Sequence, residues 1–278
     1  MLAAVGLLGA LSAVPAAALA LELGSPVKAT LLAERDGVAP GQPFTLALRL
    51  LHAPGWHSYW IVPGDSGLPT RVTWRLPAGI QAGPIEWPAP RRLPIGPLVD
   101  YGYEGDTLLL TELQAAPDLK PGAEVRIEAH TQWLMCHDVC IPASQDLQIA
   151  LLVREPAALR PSADAHAFAR ARARIPPPLA LAAGHATRSG GSVTLAFAAP
   201  SASAPHRLEF FPLEAGRIEP SAPQTLQVKG DTVSLELTAA QPVGADFRAL
   251  RGVLEADGGP DGGGWAGSID VPLEVEGK

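Results

Sequence analysis

The sequence predicts an all-β protein, two antiparallel β-sandwiches joined by a short helix. Three observations carry that expectation. Short runs of alternating hydrophobicity fill most of the chain, Pro-Gly and Gly-Pro steps separate them, and one Ala/Arg-rich stretch has helical spacing. The composition agrees. With 278 residues and 47% hydrophobic content the chain can bury one large core or two ordinary ones, and 28 Gly with 29 Pro favour turns over long helices.

Residues 1–20 are almost wholly apolar and end in Ala18-Leu19-Ala20, which reads as a signal peptide with its small-residue cleavage site. A membrane anchor or a buried helix is the plainer alternative. The positive charge that usually opens such a peptide is missing, so an earlier start is expected. No other run approaches the ~20 apolar residues that span a bilayer. An exported chain follows, in a compartment that permits disulfides. The net charge of −7 and pI of about 5.5 give no electrostatic case for nucleic acid or an anionic membrane surface.

The first sandwich is expected over residues 21–154. Phe44-Thr45-Leu46-Ala47-Leu48-Arg49-Leu50, Arg71 to Leu76 and Val125 to His130 all alternate on a period of two. Turn signals fall at Pro54-Gly55, Pro63-Gly64, Gly83-Pro84, Gly96-Pro97 and Pro121-Gly122. Residues 155–178 form the linker. Ser162 is placed to cap a helix running from Ala163 to Arg174, and Ile175-Pro176-Pro177-Pro178 ends it. Alternation returns over residues 179–278, at Val193 to Phe197, Arg207 to Phe211, Thr232 to Leu237 and Gly267 to Leu273, with Gly258 to Gly264 as a flexible turn. A second, smaller β-sandwich with a structural or docking role is expected there, since it has no cysteine and no His/Asp/Glu cluster.

Chemistry points to one place. The chain's two cysteines lie in Trp133-Leu134-Met135-Cys136-His137-Asp138-Val139-Cys140-Ile141-Pro142. A turn at His137-Asp138 brings such a pair within bridging range, and in an exported protein two cysteines this close favour a bridge over free thiols. So small a loop stabilises a fold by only about 2 kcal/mol. The bridge reads either as an inert staple or as a reversible redox pair. His137 reads either as a group that lowers a thiol pKa or as a solvated turn residue. Met135, Cys136, His137 and Cys140 also offer soft ligands for Cu(I).

Two further segments stand out. Gly55-Trp56-His57-Ser58-Tyr59-Trp60 carries too many rings to face one core on a two-residue period, so part of it lines a surface or pocket. The stretch from Trp87 to Tyr103, rich in proline, reads as a restrained cover or as an ordinary connection between sheets. A hydrolase triad from His57, Ser58 and Asp65 lacks any local signature, and no phosphate loop or metalloprotease motif is present.

Together these segments resemble the N-terminal periplasmic domain of the DsbD family of thiol:disulfide interchange proteins, and within it the ScsB branch linked to copper-sensitivity suppression. The residues that carry the resemblance are Gly55 to Trp60 with Pro63-Gly64-Asp65-Ser66-Gly67-Leu68-Pro69, Ile85 to Pro90, Tyr101-Gly102-Tyr103-Glu104-Gly105, and Trp133 to Pro142. It covers about residues 25–155.

The resemblance implies an immunoglobulin-like domain that relays electrons. It receives them from a membrane electron-transfer domain through a thioredoxin-like reductase domain, and hands them to periplasmic thiol oxidoreductases of the ScsC/DsbC kind. Cys136 and Cys140 match the redox pair, with Cys140 forming the mixed disulfide. Tyr59 matches the aromatic segment packed near the sulfurs. The loop from Trp87 through Tyr101 to Tyr103 matches the cap that shields the pair; His137 is expected as a supporting residue from its position between the cysteines, not from the resemblance. The resemblance implies no cofactor and no metal, and a place in copper tolerance or cytochrome c biogenesis. The family's best-known members space the cysteines wider. The sequence shows no membrane segments and no thioredoxin-like domain, so one relay domain is expected rather than a complete reductase. Two competing readings are a copper-binding module and a scaffold sandwich with a structural disulfide.

Overall fold

The computed structural model describes residues 24–199, 205–257 and 264–276. The expected signal peptide and residues 258–263 of the expected glycine-rich turn lie outside them.

The alternating runs do form strands. In the first half these are β1 (Val27–Ala33), β2 (Gly37–Val38), β3 (Pro43–His52), β4 (His57–Gly64), β5 (Arg71–Arg75), β6 (Ile80–Glu86), β7 (Arg91–Ile95), β8 (Leu98–Glu104), β9 (Asp106–Ala115), β10 (Glu124–Cys136) and β11 (Cys140–Val153). Strands β1-β3-β9-β6 make one sheet, and β2-β11-β10-β4-β8-β7 make the other, with β5 on β10. The inward residues alternate as the period requires. Leu46, Leu48 and Leu50 of β3 and Ile127, Trp133 and Met135 of β10 are all buried between the sheets. This is an immunoglobulin-like β-sandwich with antiparallel pairing almost throughout.

The helix is α1 (Ala165–Arg172), shorter at both ends than the composition suggests. Asp164, not Ser162, takes the N-cap position, while the Ser162 hydroxyl accepts a hydrogen bond from the Asp164 N–H at 3.2 Å. The helix is also more than a connector. Phe168 is fully buried against Ala47, Leu108 and Leu110, on the outer face of β3 and β9. This explains why β3 buries Ala47 as well as its core-facing leucines.

The second half contributes β12 (His185–Ser189), β13 (Ser192–Ala198), β14 (Leu208–Pro212), β15 (Thr225–Lys229), β16 (Thr232–Thr238), β17 (Ala249–Ala256) and β18 (Trp265–Val275), in the order β14-β17-β18-β12-β13-β16-β15. Strand β18 pairs with β17 through Pro272 and with β12 from Leu273 on, and so joins the two layers around a core of Phe197, Phe210, Leu235 and Leu254. The two halves share packing. Phe211 and Val253 belong to the same buried cluster as Trp60, Tyr101 and Tyr103. Phe211 meets Tyr101 edge-on at 5.2 Å and Trp60 at 6.2 Å between ring centroids.

The stretch from Trp87 to Tyr103 departs from expectation. It contains the β7–β8 hairpin, turning at Gly96 where φ is +58°. Pro94 is tolerated because β7 is the edge strand of its sheet.

Candidate functional site

The two cysteines end β10 and begin β11. These strands pair residue for residue from Glu124 with Leu152 to Cys136 with Cys140, leaving His137-Asp138-Val139 as the turn. The register therefore sets the cysteines opposite each other with Cα atoms 4.2 Å apart, and the disulfide closes between them.

Strand alternation then decides what surrounds the sulfurs. On β10, Trp133 and Met135 point into the core, so Cys136 faces the other way. Strand β4 joins β10 through the pairing of His57 with Cys136, so His57 and Tyr59 share that outward face while Trp60 faces the core. The Tyr59 hydroxyl donates a hydrogen bond to Cys136 Sγ at 2.9 Å and lies 3.6 Å from Cys140 Sγ. Burial first, and then the charge of Asp100, push the Tyr59 phenol up to about 12, so it stays a donor. The His57 ring sits edge-on to Tyr59 at 5.3 Å, and burial lowers its proton affinity.

The cover over this face is the segment from Asp65 to Pro69. Gly67 has φ of +95° and packs so close to the Tyr59 ring that a Cβ would collide with the ring carbons. Pro69 forms a bridge with Tyr59. Two aspartates pin the segment. Asp100 accepts from the Ser66 N–H at 2.9 Å and from the Ser66 hydroxyl at 3.0 Å and 2.9 Å. Asp65 accepts from the Val99 N–H at 2.7 Å. The outcome is an asymmetric disulfide. Cys136 is 2% exposed, whereas Cys140 is exposed and flanked in the chain by the exposed apolar side chains of Val139 and Ile141.

Of the residues singled out from sequence, the structure brings Cys136, Cys140 and Tyr59 together. His137 sits at the turn with its ring 5.9 Å from Trp56 and its Nδ1 2.9 Å from an Asp138 carboxylate oxygen. Trp87, Tyr101 and Tyr103 do not lie over the disulfide. Tyr101 and Tyr103 are buried in the core beneath it, Trp87 packs against that core, and the Tyr103 hydroxyl donates to the Pro88 carbonyl at 2.7 Å. What packs on Tyr59, the hydrogen-bonding neighbour of Cys136, is instead Gly67, next to Ser66. Those residues stand in the quoted Pro63-Gly64-Asp65-Ser66-Gly67 run, whose two glycines and acid were the available signal.

The hydrolase set is not assembled either. The Ser58 hydroxyl lies 2.8 Å from His52 Nε2, and Asp65 is spent on Val99. The four soft ligands are also split, because Met135 is core-facing while Cys136 faces outward. Among the described residues, no cluster of three or more His, Cys, Asp or Glu side chains is placed to hold a metal ion. No helix among them is long and apolar enough to cross a membrane.

Residues 28–152 match the family model described as the N-terminal region of the thiol:disulfide interchange protein DsbD. Among solved structures, the N-terminal periplasmic domain of ScsB from Proteus mirabilis superposes with a TM-score of 0.62 at 18% identity, covering 87% of this chain and 91% of that one. The likeness extends the shared fold across both halves of the chain. The periplasmic chaperone SfaE also aligns, at 12% identity over 88% of this chain and 100% of that one, but with a TM-score of 0.22. No curated protein matches the sequence.

Proposed function

We propose that the chain, whose residues 28–152 match the family model of DsbD N-terminal domains, is a periplasmic electron-relay domain working through Cys136 and Cys140. One observation carries the proposal. The disulfide has one accessible sulfur, Cys140, and one sulfur sealed under Tyr59, Cys136. Exchange proceeds through a mixed disulfide, which needs one sulfur open to a partner and a second beside it to resolve.

In the reduced domain, the Cys140 thiolate attacks a partner disulfide. One partner sulfur leaves as a thiolate, and the other is held by Cys140. Cys136 then attacks Cys140, the Cys140–partner bond breaks, and the second partner sulfur leaves with the electron pair. Two electrons have passed to the partner. Recharging runs the same steps backwards with an upstream dithiol. The Tyr59 hydroxyl supports the Cys136 thiolate by hydrogen bonding, and the cover limits its oxidation by other agents.

The partners in this reading are the thioredoxin-like reductase and membrane electron-transfer domains of the same family upstream. Downstream are periplasmic thiol oxidoreductases of the ScsC/DsbC kind. The redox unit spans residues 21–154, residues 155–178 link it to the second sandwich over 179–278, and residues 1–20 export it.

The test is a redox titration of the purified chain against glutathione, read by thiol alkylation. A two-electron transition is expected, with Cys136→Ser accumulating a mixed disulfide on Cys140 and Cys140→Ser accumulating none. A pair that stays oxidised at every glutathione ratio would falsify the relay and leave a structural staple.

A further inference from the structure

The two cysteines differ in their access to protons. Cys140 is exposed and exchanges protons with solvent. Cys136 is buried, and its hydrogen-bonding neighbour Tyr59 is a donor that cannot accept a proton. Yet Cys136 must become a thiolate before it can resolve a mixed disulfide, and must regain a proton on recharging. A buried thiol that cycles in this way needs a base close by.

Most nearby groups are committed elsewhere. Asp100 spends both carboxylate oxygens on Ser66. Glu104 lies at the rim, 3.9 Å from Arg91. His137 is at the surface beside Asp138. His52 uses one nitrogen on the Gly105 carbonyl and the other on Ser58. His57 is the exception. It is 3% exposed, its Nε2 has no hydrogen-bond partner, and it is the cross-strand partner of Cys136. Directly opposed residues on antiparallel strands have Cβ atoms about 5 Å apart on one face of the sheet. An unpartnered polar atom buried there carries a desolvation cost, so a use for it is expected.

We propose that His57 is the proton acceptor for Cys136 during resolution and its proton donor during recharging. The inference rests on the exchange function proposed above. In the resolving step the Cys136 S–H proton passes to His57 Nε2. The freed sulfur electron pair forms the bond to Cys140 Sγ, and the Cys140–partner bond breaks. The partner thiolate carries away the electron pair and is protonated by solvent, while His57 returns its proton to solvent. In the reverse direction an incoming thiolate takes Cys140, Cys136 leaves with its electrons, and His57 takes up a proton from solvent and passes it to the Cys136 thiolate. Burial keeps the ring neutral and able to accept. His137 acts in the same direction, and the carboxylates of Asp100 and Glu104 oppose it.

Glutathione disulfide is the probe. The reduced chain and its His57→Gln variant are mixed with it, quenched in acid at intervals and resolved by mass spectrometry. The variant is expected to form the Cys140–glutathione adduct normally but to resolve it at least about ten-fold more slowly at pH 7. Wild-type resolution is expected to fall away in acid through an ionisation that the variant lacks. A variant that resolves at the wild-type rate with the wild-type pH profile overturns the role of His57 and leaves exchange intact. A wild-type chain that forms no adduct overturns exchange itself. Should the variant fail to fold, the wild-type His57 ring can be titrated by NMR in both redox states. Its midpoint is expected to rise on reduction, when the disulfide beside it is replaced by a Cys136 thiol that can ionise, and an unchanged midpoint overturns the proposal.

Discussion

At the scale of single residues, Tyr59 shows how one side chain sets two properties of the disulfide. Its ring supports the cover and its hydroxyl touches the buried sulfur. A hydrogen bond to a charged group is worth about 1.5–3 kcal/mol, more than one to a disulfide sulfur. Tyr59→Phe is therefore expected to raise the Cys136 thiol pKa and to make the couple more reducing. With about 30 mV per 1.4 kcal/mol, a shift of a few tens of millivolts follows. A glutathione titration of the variant checks this, and an unchanged midpoint would show that the hydroxyl favours neither redox state. The same burial yields a pH prediction. All three tyrosines of the chain are shifted upward by burial, Tyr59 to about 12. A raised folded-state value means that the protonated form is favoured in the folded chain. Its contribution to stability is fully present below about pH 10 and is lost as pH rises through the folded values. Phenolate absorbance is expected to stay flat through pH 10 and to rise only later, with alkaline unfolding. A step near pH 10 while the fold persists would contradict the burial of these rings.

At the scale of elements, the cover depends on positive φ at Gly64 and Gly67 and on the two aspartates that fasten it. Gly67→Ala drives a methyl group into the Tyr59 ring and strains the backbone, at a cost of about 1–3 kcal/mol. The cover is expected to lift, so that dithiothreitol reduces the disulfide faster and iodoacetamide reaches reduced Cys136 sooner. Asp100→Asn should act the same way more weakly, by loosening Ser66 without a clash. Alkylation rates no faster than wild type in both variants would argue that the segment does not shield the sulfur. This element also marks where sequence reasoning stopped. The cysteines, their turn and Tyr59 were legible because each depends on local spacing or on a quoted motif. The cover was not, because it is held by Ser66 and Asp100, which lie 34 residues apart, and nothing local reports such a contact. Read as a loop on account of its prolines, the β7–β8 stretch does alternate through Leu98 to Tyr103, and Pro94 merely marks an edge strand. The helix was legible from its composition, but the burial of Phe168 against β3 and β9 was not.

At the scale of the whole molecule, the second sandwich bears on the site through the core beneath it. Strand β4 carries His57 and Tyr59 on one face and Trp60 on the other, and Trp60 packs on Phe211 of β14. Tyr101, on the neighbouring β8, packs on the same ring, and Val253 of β17 completes the contact. Arg92 of β7 reaches across to donate to the Pro220 carbonyl at 2.8 Å. The strand that positions the sulfur's neighbours is thus braced from behind by the other half of the chain. Removing a buried phenylalanine costs about 3–5 kcal/mol. Phe211 is fully buried in a cluster drawn from both halves, so Phe211→Ala should weaken the two together rather than the second alone. Calorimetry of the wild type is expected to show one unfolding transition. In Phe211→Ala that transition should move down by several degrees or split into two. The same variant should reduce faster with dithiothreitol, because Trp60 and Tyr101 gain room and β4 no longer holds Tyr59 firmly over Cys136. Two well-separated transitions already present in the wild type, with reduction kinetics that Phe211→Ala leaves unchanged, would mean that the halves fold independently and that the brace does not reach the disulfide.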